Sequence, residues 1–407
     1  MAEHTASLPP PTGTAGPSAR RARSSIRVTF SGLMTIPVVL IVLLAAMNSE
    51  LNLLYLAVGL SGAAAVVNFL LVRAGLSGLT VRRALPESAT VGRPLEAVLA
   101  VANTNRRLAA WGLLLEDRPA PLPAGGAALG FVPHVGPGRE ARTSYCLIPA
   151  ARGRLEFSEI AVRSRFPFGL FQRKLIFAAP DAVVVWPARG ELTAELLDAG
   201  GAENRPSTGA RVRRNDAGDF AGLKEYRPGD NPRMIHWRSS ARRGRPVIRE
   251  HDDRSVGRVM ILLDTRADPA DAGAAARRET AVGFAATLSE DALKRGRAVG
   301  LAAWDGSRPA VAAPDLGSPQ RLRLLDLLAL LADNRTRGLG DLMTEIDLDL
   351  CVDALVVIVS PEAPARLPAP SDGLMRAAGR LMTVSVADPD FARLYRAPTM
   401  QRSVSSE

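Results

Sequence analysis

Residues 219–250 read DFAGLKEYRPGDNPRMIHWRSSARRGRPVIRE. No single helical or strand period runs through this stretch. Its centre, Pro228-Gly229-Asp230-Asn231-Pro232, is turn-forming and stands between arginine-rich flanks. Proline fixes φ, glycine admits positive φ and aspartate bonds its own backbone, so Pro228-Gly229-Asp230 reads as a turn. Asp230-Asn231-Pro232 then reads as the cap and first turn of a short helix starting near Pro232 and carrying His236 and Trp237. Glu225, Asp230 and Glu250 are nearby carboxylates, with Arg233, Arg238 and Arg249 as candidate partners. A hydrogen-bonded joint between the modules on either side is the first reading of the stretch. A partner-docking surface is the second and catalysis a distant third. His236 has no matched nucleophile or metal partner, and His251 does not stand at a zinc-ligand spacing from it.

The surrounding chain has 407 residues, 47% of them hydrophobic and 5% aromatic. That length admits two or three domains, with cores of Leu, Val and Ala. A net charge of +10 favours anionic partners: phospholipid head groups, nucleic acid or acidic protein surfaces. Cys146 and Cys351 are the only cysteines, which gives neither a disulfide framework nor a thiolate metal site.

Residues 1–29 are rich in Pro, Ala, Ser and Arg and read as a disordered tail. Phe30–Met47 and Leu51–Val72 are two apolar runs, each near the roughly 20 residues that cross a bilayer. The polar turn Asn48-Ser49-Glu50 joins them, so residues 30–75 read as a transmembrane α-hairpin. Arg20, Arg21, Arg23 and Arg27 precede it and Arg73, Arg82 and Arg83 follow, whereas the turn holds no Lys or Arg. The positive-inside rule then puts both termini and everything after about residue 75 on the cytoplasmic side of the cell membrane.

Residues 78–190 change texture. Leu79–Arg83, Leu95–Ala102, Trp111–Glu116, Thr143–Ile148, Ile160–Ser164 and Val183–Trp186 are short strand candidates between Gly and Pro clusters, as in a β-sandwich. Three aromatics in Phe166-Pro167-Phe168-Gly169-Leu170-Phe171 would be costly to expose, so this corner is expected to bury against a neighbouring domain. Residues 191–257 read as linker and signature. From 258 to 390 strands alternate with helices: Val259–Leu263, Arg278–Arg295, Ala298–Trp304, a helix capped at Ser318-Pro319 and carrying Leu322, Leu325, Leu328 and Leu331, then Ala354–Ser360 and Leu381–Val386. That order argues a parallel α/β sheet, and residues 391–407 read as a second tail.

The run RFPFGLF, then Val185–Pro187, then GLKEYRPGDNPRMIHWRSSARRGRPVIRE resembles the bacterial family called domain of unknown function 58. Glu225, Tyr226, Arg227, Gly229, Asp230, Arg233, Ile235, His236, Trp237, Ala241, Arg242 and Arg249 carry the resemblance, which extends over roughly residues 78–390. It implies a membrane hairpin, a C-terminal domain similar to von Willebrand factor type A, and partnership with a MoxR-type AAA+ ATPase. That fold holds Mg²⁺ on Asp-x-Ser-x-Ser, since carboxylate and hydroxyl oxygens suit a hard cation. Here the positions read Asp264-Thr265-Arg266-Ala267-Asp268, so Asp264 and Asp268 remain as a degenerate pair with a guanidinium between them. The expected molecule is a multidomain, membrane-anchored, non-enzymatic scaffold without a resident cofactor. The alternative is an anionic-lipid or nucleic-acid binding module acting through Arg238–Arg249. Interleaved acids, and the lack of any known nucleic-acid-binding fold signature, argue against nucleic acid.

Overall fold

The computed structural model describes residues 20–49, 51–121, 128–193, 211–214, 220–225, 237–251, 257–306, 308–332, 334 and 336–398. The chain divides into two compact units, Met1–Val185 with Gln401–Glu407, and Trp186–Met400.

The first unit contains β1 (Arg20–Val28), α1 (Phe30–Ser49), α2 (Asn52–Gly75), β2 (Leu79–Ala84), β3 (Ser88–Thr90), β4 (Leu95–Asn103), β5 (Ala110–Ala120), β6 (Leu129–Val135), β7 (Glu140–Leu147), β8 (Gly153–Ser164) and β9 (Phe171–Trp186). A three-stranded sheet runs β2-β4-β7, and a larger sheet runs β1-β9-β8-β5-β6 with β3 also on β9. The pairs are antiparallel along both orders. Alternation sets the core: Leu95, Ala97, Leu99 and Val101 of β4 are buried, as are Leu113 and Leu115 of β5 and Leu155 and Phe157 of β8.

A buried ion pair joins the two sheets. Arg83 on β2 donates from Nε to Asp117 Oδ2 at 2.7 Å and from Nη2 to Oδ1 at 2.5 Å. Asp117 lies on β5, and Tyr145 Oη on β7 donates to its Oδ2 at 2.6 Å. Arg83 Nη1 donates to Ala179 O at 2.7 Å, and its guanidinium lies 4.7 Å from the Phe157 ring centre. Burial, and then the neighbouring Asp117 charge, push the Tyr145 hydroxyl well above its ordinary range.

Both helices of the hairpin are long and apolar enough to cross a membrane, at 20 and 24 residues. Thr29 caps the first: its Oγ1 accepts from Gly32 N at 3.0 Å. The hairpin is tied to the sandwich at the 166–171 loop. Thr29 N donates to Leu170 O at 3.0 Å, and Thr29 Oγ1 donates to Gly169 O. Asn68, fully buried on α2, donates to Phe166 O at 3.1 Å and accepts from Leu170 N and Phe171 N at 3.0 and 3.1 Å. Gly32 is needed here because a Cβ would collide with the carbonyl of Leu170.

One expectation changes in this unit. Arg20–Val28, read as tail, is β1 and pairs antiparallel with β9. An edge strand needs only backbone partners, and the 16-residue β9 supplies them beyond its pairing with β8. The Phe166–Phe171 corner packs on the neighbouring hairpin in part: Asn68 holds its main chain and Phe69 meets the Phe171 ring at 5.5 Å, while Phe166 and Phe168 stay 41% and 55% exposed.

The second unit contains β10 (Glu191–Leu192), β11 (Arg211–Arg214), β12 (Phe220–Glu225), α3 (Trp237–Arg243), β13 (Val247–His251), β14 (Arg258–Leu263), α4 (Ala274–Lys294), β15 (Ala298–Asp305), β16 (Arg308–Asp315), α5 (Gly317–Leu330), α6 (Leu339–Glu345), β17 (Leu355–Ser360), α7 (Asp372–Ala377), β18 (Arg380–Ser385), α8 (Phe391–Leu394) and β19 (Tyr395–Arg396). The main sheet runs β11-β18-β17-β14-β15-β16. β18, β17, β14 and β15 are parallel, and β11 and β16 are antiparallel edges. β14 and β17 are buried along nearly their whole length, as strands covered on both faces must be.

The expected linker and second tail are partly structured. β11 is an edge of the main sheet, and β10 pairs with β19. Phe391 and Tyr395 pack on Phe284 of α4, with ring centres 5.4 and 5.5 Å apart, which brings 391–396 into the unit. The helix expected to be capped at Ser318 has Leu316 as its cap residue, without a side-chain bond. Leu325, Leu328 and Leu331 are core as expected, while Leu322 is exposed.

Removing one partner of the Arg83–Asp117 pair leaves a buried charge unsatisfied. Asp117→Ala should therefore cost about 3–5 kcal/mol, whereas Arg83→Met with Asp117→Leu should recover most of it. Chemical denaturation of the full chain in detergent, followed by tyrosine and tryptophan fluorescence, checks the difference.

Candidate functional site

The main sheet reverses its winding between β14 and β17. From β14 the chain builds outward to β15 and β16, then returns to place β17 on the other side. The crevice beyond the carboxyl ends of such a pair is where open α/β sheets bind ligands. Asp264 follows β14 directly and Ser360 ends β17.

Asp264 is buried, and both of its oxygens are engaged. Oδ1 accepts from Arg266 N at 3.0 Å, and Oδ2 accepts from Ser360 Oγ at 3.0 Å. Its own N–H donates to Val359 O at 2.8 Å. Burial raises the carboxyl above its ordinary range, and the two hydrogen bonds pull it partly back. Thr265 turns its hydroxyl to Trp304 O at 2.9 Å. The Arg266 guanidinium does not reach into the crevice for Asp264 but pairs with Glu362. That carboxylate is the largest cause raising the guanidinium's already high pKa.

Besides Ser360, sequence reasoning missed three residues at this place. Asn334 is buried. Its Nδ2 donates to Arg337 O at 2.6 Å and its Oδ1 accepts from Arg337 N at 3.1 Å, while its backbone carbonyl receives Ala267 N at 3.2 Å. Glu362 partners Arg266, and Ser385, at the end of β18, donates to Glu362 O at 2.5 Å. The usable signal was position: each follows a strand or helix whose end faces the switch point.

The degenerate metal pair does not assemble. Asp268 Oδ1 accepts from Ala270 N at 2.9 Å and so closes its own loop. Among the described residues no three His, Cys, Asp or Glu side chains converge on a point. With Thr265 turned away and Arg266 beside the carboxylate, the donor set does not fit Mg²⁺.

The signature stretch forms a hairpin. β12 pairs antiparallel with β13, Leu223 opposite Arg249 and Glu225 opposite Val247. Between them lies α3, described from Trp237 to Arg243; the helix start expected near Pro232 lies outside the described residues. Ser240 Oγ accepts from Val247 N at 2.9 Å and pins the helix to β13. Trp237 is 72% exposed, and Arg238 and Arg242 are exposed beside it. Tyr226, Arg227, Gly229, Asp230, Arg233, Ile235 and His236 lie outside the described residues. The structure therefore brings Glu225 and Arg249 onto paired strands and places Trp237 and Arg242 on one short helix.

Asp264 tests the electrostatics. A carboxyl whose folded pKa is raised gives stability that is full below its unfolded pKa and is lost as pH rises through the folded value. Asp264→Asn keeps the acceptor for Arg266 N and removes that loss. The variant's melting temperature should exceed the parent's most at pH 7–8, and the gap should close toward pH 4. Thermal unfolding of the full chain across that range measures it; a gap that is constant with pH would contradict the raised carboxyl.

Among curated proteins, "Uncharacterized protein YeaD" of Bacillus subtilis (strain 168) is 24% identical over 164 residues. The match covers 40% of this chain and 39% of that protein, so the chain spans about two fifths of that relative's length. Among solved structures, the CARDB domain of PF1109 from Pyrococcus furiosus is similar over 26% of this chain and 94% of its own, at 14% identity and a TM-score of 0.18, too low to bear on the fold. A family described as "Protein of unknown function DUF58" matches residues 222–390, from the signature hairpin to β18 but not the sandwich to which the resemblance had been extended.

Proposed function

We propose that this chain is a membrane-anchored scaffold whose sandwich and second unit face the cytoplasm and present docking surfaces to a MoxR-type AAA+ ATPase. The observation that carries the reading is the hairpin. Leu40, Ile41, Leu44, Leu56 and Leu60 are all more than half exposed along helices long enough to span a bilayer. Apolar surface on that scale is stable only when lipid or protein covers it. The arginines before α1 and after α2 support the cytoplasmic orientation.

The second unit supports the adaptor role. A von Willebrand factor type A-like assignment is consistent with its strand order, its antiparallel edge β16 and the polar cluster at the switch point. The Arg266–Glu362 pair and the exposed α3 supply the charged and aromatic groups that protein interfaces favour. A non-catalytic role fits a cluster whose carboxylates are already engaged by Ser360, Arg266 and their own loops.

The alternative, binding of anionic lipid or nucleic acid through the signature segment, draws on the exposed Trp237, Arg238 and Arg242. It predicts an affinity that falls steeply with salt. The scaffold reading predicts that a photo-crosslinking amino acid at Trp237 or Arg242, in intact membranes, captures an AAA+ ATPase. Capture of nucleic acid or lipid alone would favour the alternative. A thiol reagent that cannot cross the membrane should label Ser49→Cys from outside and leave Leu348→Cys untouched; the reverse pattern would overturn the orientation.

A further inference from the structure

The end of the sandwich that meets the hairpin carries aromatic rings and guanidiniums that nothing in the scaffold reading uses. We propose that this end is seated in the bilayer: the Phe166–Phe168 loop and Trp111 lie in the interfacial layer, and arginines around them bind the head groups of anionic phospholipids. The proposal rests on the membrane-spanning reading of the hairpin.

Depth is the first argument. At about 1.5 Å per residue, Asn68 stands roughly 24 Å along α2 from Asn52 beside the polar turn. On α1, Gly32 stands roughly 24 Å from Asn48 by the same rise. Both residues touch the 166–171 loop: Asn68 through its hydrogen bonds, Gly32 through its close approach to Leu170 O. The hydrocarbon core of a bilayer is about 30 Å thick. A hairpin whose polar turn reaches one face therefore holds this loop at the edge of the hydrocarbon on the other. Water-exposed phenylalanines there would be costly; lipid-exposed ones are not.

Chemistry is the second. Phe166 and Phe168 are 41% and 55% exposed, and Phe30 at the start of α1 is 77% exposed. Trp111 is 44% exposed and stacks on Phe166, with ring centres 5.5 Å apart and planes 17° from parallel. Ser164 Oγ donates to Trp111 O at 2.7 Å and holds the two together. Aromatic rings with one polar edge collect at the membrane–water boundary. Leu108, 37% exposed, sits on the adjoining 104–109 loop, whose Ala109 carbonyl lies against Gly75 at the end of α2.

Charge is the third. The segments meeting here, residues 20–30, 73–83, 104–115 and 163–174, contain no Asp or Glu. Arg27, Arg106, Arg107 and Arg165 are exposed on them. The nearby turn at 136–139 adds Arg139, and the Glu140 that follows is paired with Arg142. The opposite end of the sandwich mixes signs, with Glu87 and Glu156 among Arg93 and Arg154. A sandwich end that is basic and aromatic where it adjoins the apolar hairpin fits an anionic bilayer.

The test uses the full chain carrying Cys146→Ser, reconstituted into phosphatidylcholine liposomes with and without phosphatidylglycerol. Nitroxide labels go at Phe168→Cys, at Leu44→Cys in the hairpin and at Leu348→Cys on the second unit. Relative accessibility to oxygen and to a water-soluble nickel chelate reports depth. The expected result is a deep label at 44, an interfacial one at 168 and an aqueous one at 348. The label at 168 should also leave lipid more readily, about fivefold per charge removed, when Arg106→Gln and Arg165→Gln are introduced in phosphatidylglycerol membranes. A deep label at 44 with a fully aqueous one at 168 overturns this proposal and leaves the hairpin reading standing. An aqueous label at 44 overturns both. An interfacial label at 168 that ignores phosphatidylglycerol and both arginine substitutions overturns the head-group recognition.

Discussion

One amide side chain makes the hairpin and the sandwich a single object. Asn68 sits on an otherwise apolar helix, where an unpaired amide would be expensive. Its oxygen takes two backbone N–H groups of the 166–171 loop, and its nitrogen reaches the Phe166 carbonyl. The loop in turn holds Thr29, the cap of the other helix. Both helices are thus fixed against the same short turn. The chain enters the hairpin from β1 in the larger sheet and leaves it into β2 in the smaller one. The two sheets are then bound to each other by Arg83, Asp117 and Tyr145. The architecture at the hairpin end of this unit follows from a few buried polar contacts inserted into otherwise apolar packing, where each is strong because no water competes.

The hairpin, most of the sandwich strands and the alternating α/β pattern were legible because each rests on periodicity or length. What escaped was set by tertiary partners. β1 reads RRARSSIRV, polar enough for a tail, and becomes a strand because β9 offers an unpaired edge. β6 and β16 are interrupted by Gly or Pro and survive at sheet edges, where a missing donor matters least. The corner at Phe166–Phe171 meets the hairpin through Asn68 and Phe69, yet leaves Phe166 and Phe168 partly exposed. The engaged Asp268 could not be foreseen either, since whether a carboxylate turns into a crevice or back onto its own loop depends on φ and ψ, not on spacing.

At the switch point the sequence located Asp264 but not its company. A buried carboxylate with a raised pKa is a familiar mark of a functional site. Here the neighbours answer its charge without assembling a reacting pair: a backbone N–H, a serine hydroxyl and, one step away, an arginine given to Glu362. Asn334 then stitches the loop after α5 to the loop after β14. The result is a hydrogen-bonded polar floor with the Arg266–Glu362 ion pair at its rim.

A net charge of +10 says little until the arginines are placed. Arg83 is buried and structural, its charge matched by Asp117. Arg266, Arg189 and Arg321 are paired at the second unit's surface, the last two on the same Glu290. Exposed pairs of this kind contribute little to stability, on the order of 0–1 kcal/mol each, whereas Glu290 is largely buried between its two arginines. A further group stands around the base of the hairpin, on residues 20–30, 73–83, 104–115 and 163–174, which carry no acid. Residues 203–258, with the signature stretch, hold another share of the excess: fourteen Lys and Arg against eight Asp and Glu. A field at the end where the apolar helices leave the fold acts on whatever surface those helices enter. Arginine usage alone would have suggested nucleic acid as readily as lipid. Its placement beside exposed phenylalanine and tryptophan, next to a loop held by Asn68 and Gly32, is the observation on which the proposed lipid contact rests.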